Sequence, residues 1–296
     1  MKNEPLVSVQ QLLSEVHRLE IATRGTVDTL LLGAYRSGFK GNGLEFHQVR
    51  EYTPEDDYRS IDWNVTARLN SPYIKTFVEE RELHLIFAVD FSASMNPKGI
   101  RSFKKETVLK FCATLALTAI QQQDQVGLLI FTDQVERFLP PNRGKAAAFR
   151  LLKELLTFQP KGLRTRYEPA LNYLARGLKR RSVLFWLSDF TEPIPMNLAS
   201  MLGKRHDVIA ISIHDPLEEI TTLPSRITVQ DPETGRVGYI SKSNLRLLRE
   251  AIATRELQLK QLTQKGIDRM DLIAGENLDP IVRRFFQNRI EKRDRR

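Results

Sequence analysis

Residues 83–94 read LHLIFAVDFSAS, and this stretch decides the fold class. Its first part, Leu83–Val89, is a nearly continuous apolar run, which is typical of a strand buried on both faces of a parallel sheet. Polar residues follow at once, with Asp90 after the run and then Ser92 and Ser94. In open α/β sheets, ligands bind outside the carboxyl ends of the strands. The stretch therefore predicts a buried strand that leads directly into a ligand-binding loop.

The chain beyond this strand continues to alternate between strand and helix patterns. Short apolar runs predict strands at Val126–Phe131, Ser182–Leu187 and Val208–Ile213, an edge strand at Val135–Leu139, and a hairpin of Arg226–Gln230 with Arg236–Ile240. Helical spacing predicts helices at Phe103–Gln121, Lys145–Phe158, Pro169–Leu178, Met196–Lys204, Ser243–Gln264 and Leu278–Arg293. This order predicts an α/β fold with a doubly wound, mostly parallel sheet and helices on both faces.

The composition is that of an ordinary globular protein, with 41% apolar and 27% charged residues among 296. No apolar run approaches the roughly 20 residues that a membrane-spanning helix needs. The first residues lack the apolar core of a secretory signal. The single cysteine, Cys112, excludes an internal disulfide and a cysteine metal cluster. We therefore expect a soluble protein of the cytoplasm.

The formal net charge of +9 raises the question of nucleic-acid binding. More than half of this excess lies in residues Ile281–Arg296, which hold seven Arg or Lys against two acids. No zinc finger or aromatic-stacking motif accompanies the cations. We expect a solvated terminal helix whose other side packs on the domain through Ile281, Phe285 and Phe286. Nucleic-acid binding through this basic tail remains an alternative.

The loop after the first strand offers hard oxygen ligands. One carboxylate and two hydroxyls, from Asp90, Ser92 and Ser94, suit Mg²⁺ or Mn²⁺ and are poor ligands for softer metals. Two further oxygen donors follow: Thr165 precedes a predicted helix, and Asp189 follows the predicted strand at Ser182–Leu187. The alternative is a serine-rich loop whose hydroxyls cap the next helix.

These five residues resemble the metal-ion-dependent adhesion site of von Willebrand factor A-type domains, which uses Asp-x-Ser-x-Ser, a threonine and an aspartate in this order. The resemblance implies that Ser92, Ser94 and, in one state, Thr165 bind the metal directly. It implies that Asp90 and Asp189 hold coordinated waters. An exposed position on Mg²⁺ or Mn²⁺ would then accept a carboxylate from a protein partner. The resemblance also implies a von Willebrand factor A-like sheet order.

The first 80 residues carry a second pattern, formed by the segments Gly41–Phe46 (GNGLEF), Arg50–Tyr52 (REY) and Asp56–Trp63 (DDYRSIDW). This pattern resembles the signature of the bacterial family called domain of unknown function 58, which stands ahead of an A-type domain. The resemblance covers roughly residues 30–290. One departure is Glu55, because the family commonly has glycine before the Asp-Asp pair. A glycine there suggests a turn with positive φ, so the local turn is expected to differ.

The family resemblance divides the chain into a signature segment, 1–80, and a von Willebrand factor A-like domain with C-terminal helices, 81–296. An amphipathic helix is expected near Val9–Ala22, and Gly33–Gly43 is expected to be a turn rather than a phosphate-binding loop. The signature segment is expected to pack on the domain through salt bridges and aromatic contacts, or else to bind a partner. The residues concerned are Arg50, Tyr52, Asp56, Asp57, Arg59, Asp62 and Trp63.

The predicted function is a non-catalytic, metal-dependent adaptor that binds another protein. The family resemblance implies a MoxR-type AAA+ ATPase as partner and a chaperone-like role. A Mg²⁺-dependent phosphohydrolase using the same oxygen ligands is the alternative. Against it, Ser92 stands where a haloacid dehalogenase-type phosphatase has its second aspartate, and the sequence holds no Gly-x-Ser-x-Gly, His-Glu-x-x-His or kinase motif.

Overall fold

The computed structural model describes residues 45–53, 56–58, 61–69, 71–78, 82–95, 103–216, 227–230, 233, 235–240 and 245–294. Glu55 and Arg59 lie outside the described residues, as do the predicted helix at Val9–Ala22 and the predicted turn at Gly33–Gly43. The described residues belong to two compact units, one within Lys40–Leu83 and one that begins at His84. The predicted packing of the N-terminal segment on the domain stays a prediction.

The smaller unit contains an antiparallel ribbon with a short helix between its strands. Strand β1 (Glu45–Glu51) is followed by helix α1 (Trp63–Leu69) and by strand β2 (Tyr73–Val78), which pairs with β1. Asp62 caps the helix, because its Oδ1 accepts a hydrogen bond from the backbone N–H of Val65 at 3.4 Å. The sequence patterns predicted neither strand, since charged and polar residues interrupt the apolar alternation in both.

The larger unit alternates strands with helices. Its elements are β3 (His84–Asp90), α2 (Phe103–Gln121), β4 (Gln125–Phe131), β5 (Val135–Arg143), α3 (Gly144–Thr157), α4 (Tyr167–Gly177), β6 (Val183–Ser188), α5 (Met196–Arg205), β7 (Asp207–His214), β8 (Ile227–Gln230), β9 (Val237–Ile240), α6 (Leu245–Gln264), β10 (Asp268–Ile273) and α7 (Asp279–Asp294). Each strand and helix predicted for this part of the chain is confirmed, with ends that differ by a few residues.

The main sheet has the strand order β10-β7-β6-β3-β4-β5. Adjacent strands in this sheet are parallel except at one edge, where β5 runs antiparallel to β4. Strands β4 and β5, which follow β3 in the sequence, lie on one side of β3, and the next strand, β6, lies on its other side. The strand order therefore reverses between β3 and β6, which is the position where open α/β sheets bind ligands.

Both faces of this sheet are covered by helices, and the alternation of side chains along a strand explains how. Trp186 of β6 belongs to an apolar cluster with Leu171 of α4 and Leu202 of α5. The preceding residue, Phe185, points to the opposite face and meets Phe111 of α2 edge-on, with ring centroids 5.7 Å apart. The predicted fold class, a doubly wound and mostly parallel α/β sheet covered on both faces, is confirmed.

Strand β10 was not predicted from the sequence. Its residues, DRMDLI, include three charges, and only Met270 and Leu272 are buried. The strand lies at the edge of the sheet and pairs in parallel with β7 alone. An edge strand tolerates charged residues, which also discourage pairing with another chain. The apolar pattern was therefore too short to recognise.

The basic C-terminal segment forms helix α7, as predicted. Phe286 is fully buried, and Ile281 and Phe285 are partly buried. Arg289 forms ion pairs with two residues of the same chain, Asp207 at 2.8 Å and Asp268 at 3.1 Å. The expected packing of this helix on the domain is confirmed. Among the helices that the structure describes, none has the length and apolar character needed to cross a membrane.

Candidate metal centre

The two predicted aspartates lie at the ends of neighbouring strands in the centre of the sheet. Asp90 is the last residue of β3, and Asp189 follows the last residue of β6. The parallel register pairs Val89 with Leu187, so that Asp90 falls beside Ser188 and Asp189 lies one residue beyond. Both aspartates are 1% exposed. The sheet thus brings two buried carboxylates to the carboxyl ends of its central strands.

The Asp90 carboxylate is held by donors from three segments of the chain. Its Oδ1 accepts a hydrogen bond from the backbone N–H of Ser92 at 2.9 Å. Its Oδ2 accepts one from Ser188 Oγ at 2.7 Å, and Thr165 Oγ1 lies 3.4 Å from the same oxygen. Since the single proton of Ser188 goes to Asp90, Tyr167 must donate the 3.1 Å bond between its hydroxyl and Ser188 Oγ. Tyr167, Ser188 and Asp90 are therefore connected by a buried chain of two hydrogen bonds.

The three predicted hydroxyl ligands lie around this carboxylate. Ser92 Oγ and Ser94 Oγ are 3.1 Å apart. Thr165 is on a different loop, and that loop is tied to the serine loop because the backbone N–H of Ala93 donates to the carbonyl of Leu163 at 2.9 Å. Ser92 and Thr165 are buried, and Ser94 is partly exposed. The five residues predicted from sequence therefore converge at one edge of the sheet.

The loop that carries Thr165 is shaped by a carboxylate behind it. Glu136 of β5 accepts hydrogen bonds from the backbone N–H groups of Gly162 at 2.8 Å and Lys161 at 3.2 Å, and from Thr132 Oγ1 at 2.9 Å. These donors hold the pKa of Glu136 below its ordinary value, against the opposing effect of burial. Gly162 is needed there because a Cβ atom would overlap the side chains of Asp133 and Thr132.

Asp189 is held by partners of its own. Its Oδ2 accepts a hydrogen bond from Lys104 Nζ at 3.0 Å, and its Oδ1 accepts one from Thr191 Oγ1 at 3.1 Å. The next residue, Phe190, has φ of +53°, a left-handed conformation that non-glycine residues rarely adopt. Phe190 is fully buried, with its ring 5.0 Å from that of Trp186, and this packing holds the turn after Asp189 in place.

The electrostatics of the centre favour a cation. Burial raises the pKa of the Asp90 carboxyl, and the neighbouring Asp189 carboxylate raises it further. Burial, followed by the charges of Asp90 and Asp189, also raises the pKa of Tyr167 well above its ordinary value. The tyrosine hydroxyl therefore stays protonated and can donate to Ser188. A positive ion near Asp90 and Asp189 would relieve the repulsion that disfavours two ionised carboxylates.

The spacing of the oxygen atoms fits Mg²⁺. An octahedral Mg²⁺ has ligands at about 2.1 Å, which places neighbouring ligand oxygens about 3 Å apart. Ser92 Oγ and Ser94 Oγ, at 3.1 Å, meet this spacing. Within the described parts of the chain, no three His, Cys, Asp or Glu side chains form a cage around one point. The candidate centre therefore depends on hydroxyl oxygens as well as carboxylates.

The predicted signature residues lie in the smaller unit. Arg50 and Asp56 form a two-pronged ion pair, with N–O distances of 2.8 and 2.6 Å. The Arg50 guanidinium and the Thr53 backbone N–H hold the pKa of Asp56 below its ordinary range. Tyr52 and Asp62 are partly buried, whereas Asp57 and Trp63 are exposed. Packing on the larger unit and partner binding both stay predictions for these residues.

Comparison with known sequences places the chain in a family. The family model described as Protein of unknown function DUF58 matches residues 48–261, more than two thirds of the chain. The chain belongs to the DUF58 family. An uncharacterized protein of Mycobacterium tuberculosis is 28% identical to this DUF58 protein over 234 residues, which are 78% of this chain and 74% of the relative.

The solved structures that resemble this DUF58 protein include two from Bacteroides species. One is a serine-substituted form of an aerotolerance-related membrane protein from Bacteroides fragilis, with 16% identity and a TM-score of 0.47. The other is the conserved hypothetical protein BatB from Bacteroides thetaiotaomicron, with 13% identity and a TM-score of 0.43. Each match covers 71% of this chain and 99% of the other.

Four residues of the centre in this DUF58 protein were not predicted. They are Ser188 and Tyr167, which act on Asp90, Lys104, which pairs with Asp189, and Glu233, whose Oε1 accepts a hydrogen bond from Thr165 Oγ1 at 3.3 Å. Ser188 could have been found from the strand ends, because it precedes Asp189 on the neighbouring strand. Lys104 and Glu233 lie far along the chain from their partners, and no local pattern marks them.

Proposed function

We propose that this protein is a non-catalytic adaptor that binds a protein partner through a Mg²⁺-class cation at the ends of β3 and β6. One observation carries the proposal: at the switch point of the sheet the buried Asp90 carboxylate lies with the hydroxyls of Ser92, Ser94 and Thr165, and the buried Asp189 ends the neighbouring strand. Buried like charges are unfavourable unless a counter-charge is near them. Lys104 balances one of the two carboxylates. A cation would balance the other.

The residues divide into two roles in this proposal. Ser92, Ser94 and Thr165 would hold Mg²⁺ or Mn²⁺ through their hydroxyl oxygens, and Asp90 and Asp189 would hold the waters bound to it. Mg²⁺ commonly keeps several waters and binds through few protein ligands. When bound, the ion supplies a positive charge and a position that a partner's carboxylate can take. The partly exposed Ser94 marks the side of the centre from which a partner would approach.

The non-catalytic part of the proposal is supported by the state of Asp90. Both of its carboxylate oxygens already accept hydrogen bonds, from Ser92 and Ser188, and the side chain is buried. A carboxylate so placed is poorly suited to attack a phosphate or to exchange a proton with a substrate. Purified protein with Mg²⁺ is therefore expected not to turn over phosphoesters or nucleotides. Turnover that disappears on substitution of Asp90 would support a hydrolase instead.

For the partner, we propose a MoxR-type AAA+ ATPase, with a chaperone-like role for the pair. This step rests on the family resemblance. Its direct test is binding between this protein and a purified MoxR-type ATPase from the same genome, measured with Mg²⁺ and with EDTA. Binding that needs Mg²⁺ and disappears with Asp90→Asn supports the assignment. Binding that is equal with EDTA would separate the partner from the metal centre.

The metal centre is tested by thermal unfolding of the chelator-treated protein with and without Mg²⁺. A ligand that binds the folded state at 100 times its Kd stabilises the protein by about 2.7 kcal/mol. We expect such a rise in Tm for the wild type and no rise for Asp90→Asn. The substitution keeps the size of the side chain but replaces one of its two accepting oxygens with an N–H donor, so the effect of Mg²⁺ on the variant is measured against the metal-free variant itself.

Glu276→Gln is the matched control, since Glu276 is an exposed acid in the same unit. Its response to Mg²⁺ should equal that of the wild type. An equal rise in Tm for wild type and Asp90→Asn would overturn the metal centre.

A further inference from the structure

The loop between helices α3 and α4 is strongly basic. Its residues 159–166 read QPKGLRTR and contain no acid. The cations of this basic loop, Lys161, Arg164 and Arg166, are all exposed. Lys161 and Arg164 form no ion pair with any residue that the structure describes. Arg166 meets Glu168 at 3.7 Å, but an ion pair between two side chains that are 65% and 59% exposed contributes little. The three cations are therefore available to a partner.

The basic loop lies directly beside the candidate metal centre. Thr165, which stands between the two arginines, is buried with its Oγ1 3.4 Å from Asp90 Oδ2. The backbone is extended at Arg166, with φ of −143° and ψ of 122°. Neighbouring side chains of an extended segment point to opposite sides. Thr165 therefore faces the centre while the cation that follows it faces the solvent.

Hydrogen bonds hold the basic loop in place. The Glu136 carboxylate accepts the N–H groups of Lys161 and Gly162, and the backbone N–H of Arg166 donates to the carbonyl of Thr132 at 3.2 Å. Like charges so close in sequence repel each other, and these bonds keep the loop in one shape despite the repulsion. A surface that is ordered in advance loses less conformational freedom when it binds a partner.

The chemistry of the basic loop favours a partner rich in carboxylates. Arginine donates two parallel hydrogen bonds to a carboxylate, a geometry that a lysine cannot offer. Leu163 is 41% exposed between the cations and adds an apolar contact. Proteins that bind single-stranded nucleic acid commonly stack its bases on aromatic side chains, and residues 159–166 include no aromatic residue. An acidic protein segment therefore fits this loop better than a nucleic acid.

We propose that the basic loop is the docking surface for an acidic segment of the partner protein. In this segment, acidic residues lie on both sides of the carboxylate that reaches the ion. The inference rests on the proposed function, because it places one carboxylate of the partner on the cation bound near Thr165. Lys161, Arg164 and Arg166 then pair with the flanking carboxylates. The ion fixes one acidic residue, and the loop selects the sequence around it.

The test measures the binding of two labelled peptides to the full chain at saturating Mg²⁺ by fluorescence anisotropy. One peptide has glutamates on both sides of a central aspartate, and the other has glutamines in their place. The wild type should prefer the acidic peptide about tenfold, since several exposed ion pairs add together. High salt should reduce this preference by screening. The triple variant Lys161→Gln, Arg164→Gln, Arg166→Gln should bind both peptides alike.

A second triple variant, at the other end of the sheet, is the matched control. Lys179, Arg180 and Arg181 are exposed and precede β6, so they lie at the amino end of a strand whose carboxyl end carries the centre. Substitution of all three by glutamine removes the same charge and should leave the wild-type preference intact. Circular dichroism and Tm confirm that both triple variants fold.

Calorimetry with Mg²⁺ separates failure of the docking surface from failure of the metal centre. If Mg²⁺ binds the wild type but not Asp90→Asn, and the wild type shows no preference or the basic-loop variant keeps it, the docking surface is wrong and the centre stands. If the wild type does not bind Mg²⁺, or Asp90→Asn binds it equally, both fail. A single-stranded oligonucleotide that binds through the basic loop more tightly than the acidic peptide would overturn the choice of a protein segment.

Discussion

At the scale of single residues, burial shifts the pKa values of Asp90 and His206 in opposite directions. Burial disfavours the charged form of each, so the pKa of the acid Asp90 is raised and the pKa of the base His206 is lowered to about 4. His206 is 2% exposed, and its Nδ1 accepts a hydrogen bond from the backbone N–H of Ser182 at 3.3 Å. Its Nε2 is buried without a hydrogen-bond partner among the described residues. The folded protein therefore holds this histidine neutral.

His206 should make the stability of the protein depend on pH. Below its ordinary value of 6.5, an unfolded histidine binds a proton that the folded protein does not take up until about pH 4. The free energy of unfolding should therefore fall as the pH drops from 6.5 towards 4, by at most about 3 kcal/mol. His206→Asn keeps an acceptor near the Ser182 N–H and cannot titrate. Urea unfolding at pH 7.5 and pH 5 should show a smaller loss for this variant, and an equal loss in both proteins would contradict the assignment.

At the scale of elements, the centre is built by loops that follow β3 and β6 and by the loop that connects helices α3 and α4. The serine loop after β3 and the loop before α4 are joined by the Ala93 to Leu163 backbone bond. The second loop is shaped from behind by Glu136 of β5, which accepts the N–H groups of Lys161 and Gly162. The position of Thr165 thus depends on an edge strand that contributes no ligand itself.

Gly162→Ala should disturb the metal centre without touching a ligand. The added Cβ overlaps the side chains of Thr132 and Asp133, and Thr132 is fully buried, so the loop rather than Thr132 must shift. We expect Mg²⁺ affinity to fall about tenfold, which equals 1.4 kcal/mol, as measured by calorimetry. Gly177→Ala is the matched control, since its Cβ would meet only Tyr173 at an ordinary 3.9 Å at the end of α4. Equal Mg²⁺ affinity in the two variants would show that the loop does not position Thr165.

At the scale of the whole molecule, the C-terminal helix completes the edge of the sheet farthest from β5. Helix α7 packs on β10, Phe286 is fully buried, and Arg289 is paired with Asp207 and Asp268. These contacts connect the helix to two strands. The basic tail therefore combines a buried apolar side with a charged side that is partly used in ion pairs.

Phe286→Ala should lower the free energy of unfolding by about 3 to 5 kcal/mol, because it leaves a cavity where an aromatic ring was buried. Mg²⁺ affinity should change little, since the helix lies on the strand β10 at the sheet edge rather than at the ends of β3 and β6. Phe103→Ala is the control for loss of an exposed aromatic residue. Denaturant unfolding measures the difference. If the two variants are equally stable, α7 does not pack as described.

The local patterns of the sequence determined the fold class and the general place of the centre. Apolar runs and helical spacing are properties of neighbouring residues, so they indicated most strands and helices of the larger unit. The carboxyl ends of parallel strands share one edge, which predicted that Asp90, Ser92, Ser94 and Asp189 lie together. Thr165 was added to them by the resemblance to the metal-ion-dependent adhesion site. The charged strand β10 was not predicted, because a strand at the edge of a sheet needs only a few buried apolar residues.

Only the tertiary structure decided which groups surround the two aspartates. The register between β3 and β6 placed Ser188 beside Asp90, and register depends on packing across the whole sheet. Lys104 reaches Asp189 across 85 residues, and Glu233 reaches Thr165 across 68. Such contacts follow from the path of the chain through space, which local periodicity does not encode. The ion-pair partner of Asp189 and the acceptor beside Thr165 therefore became visible only in the folded molecule.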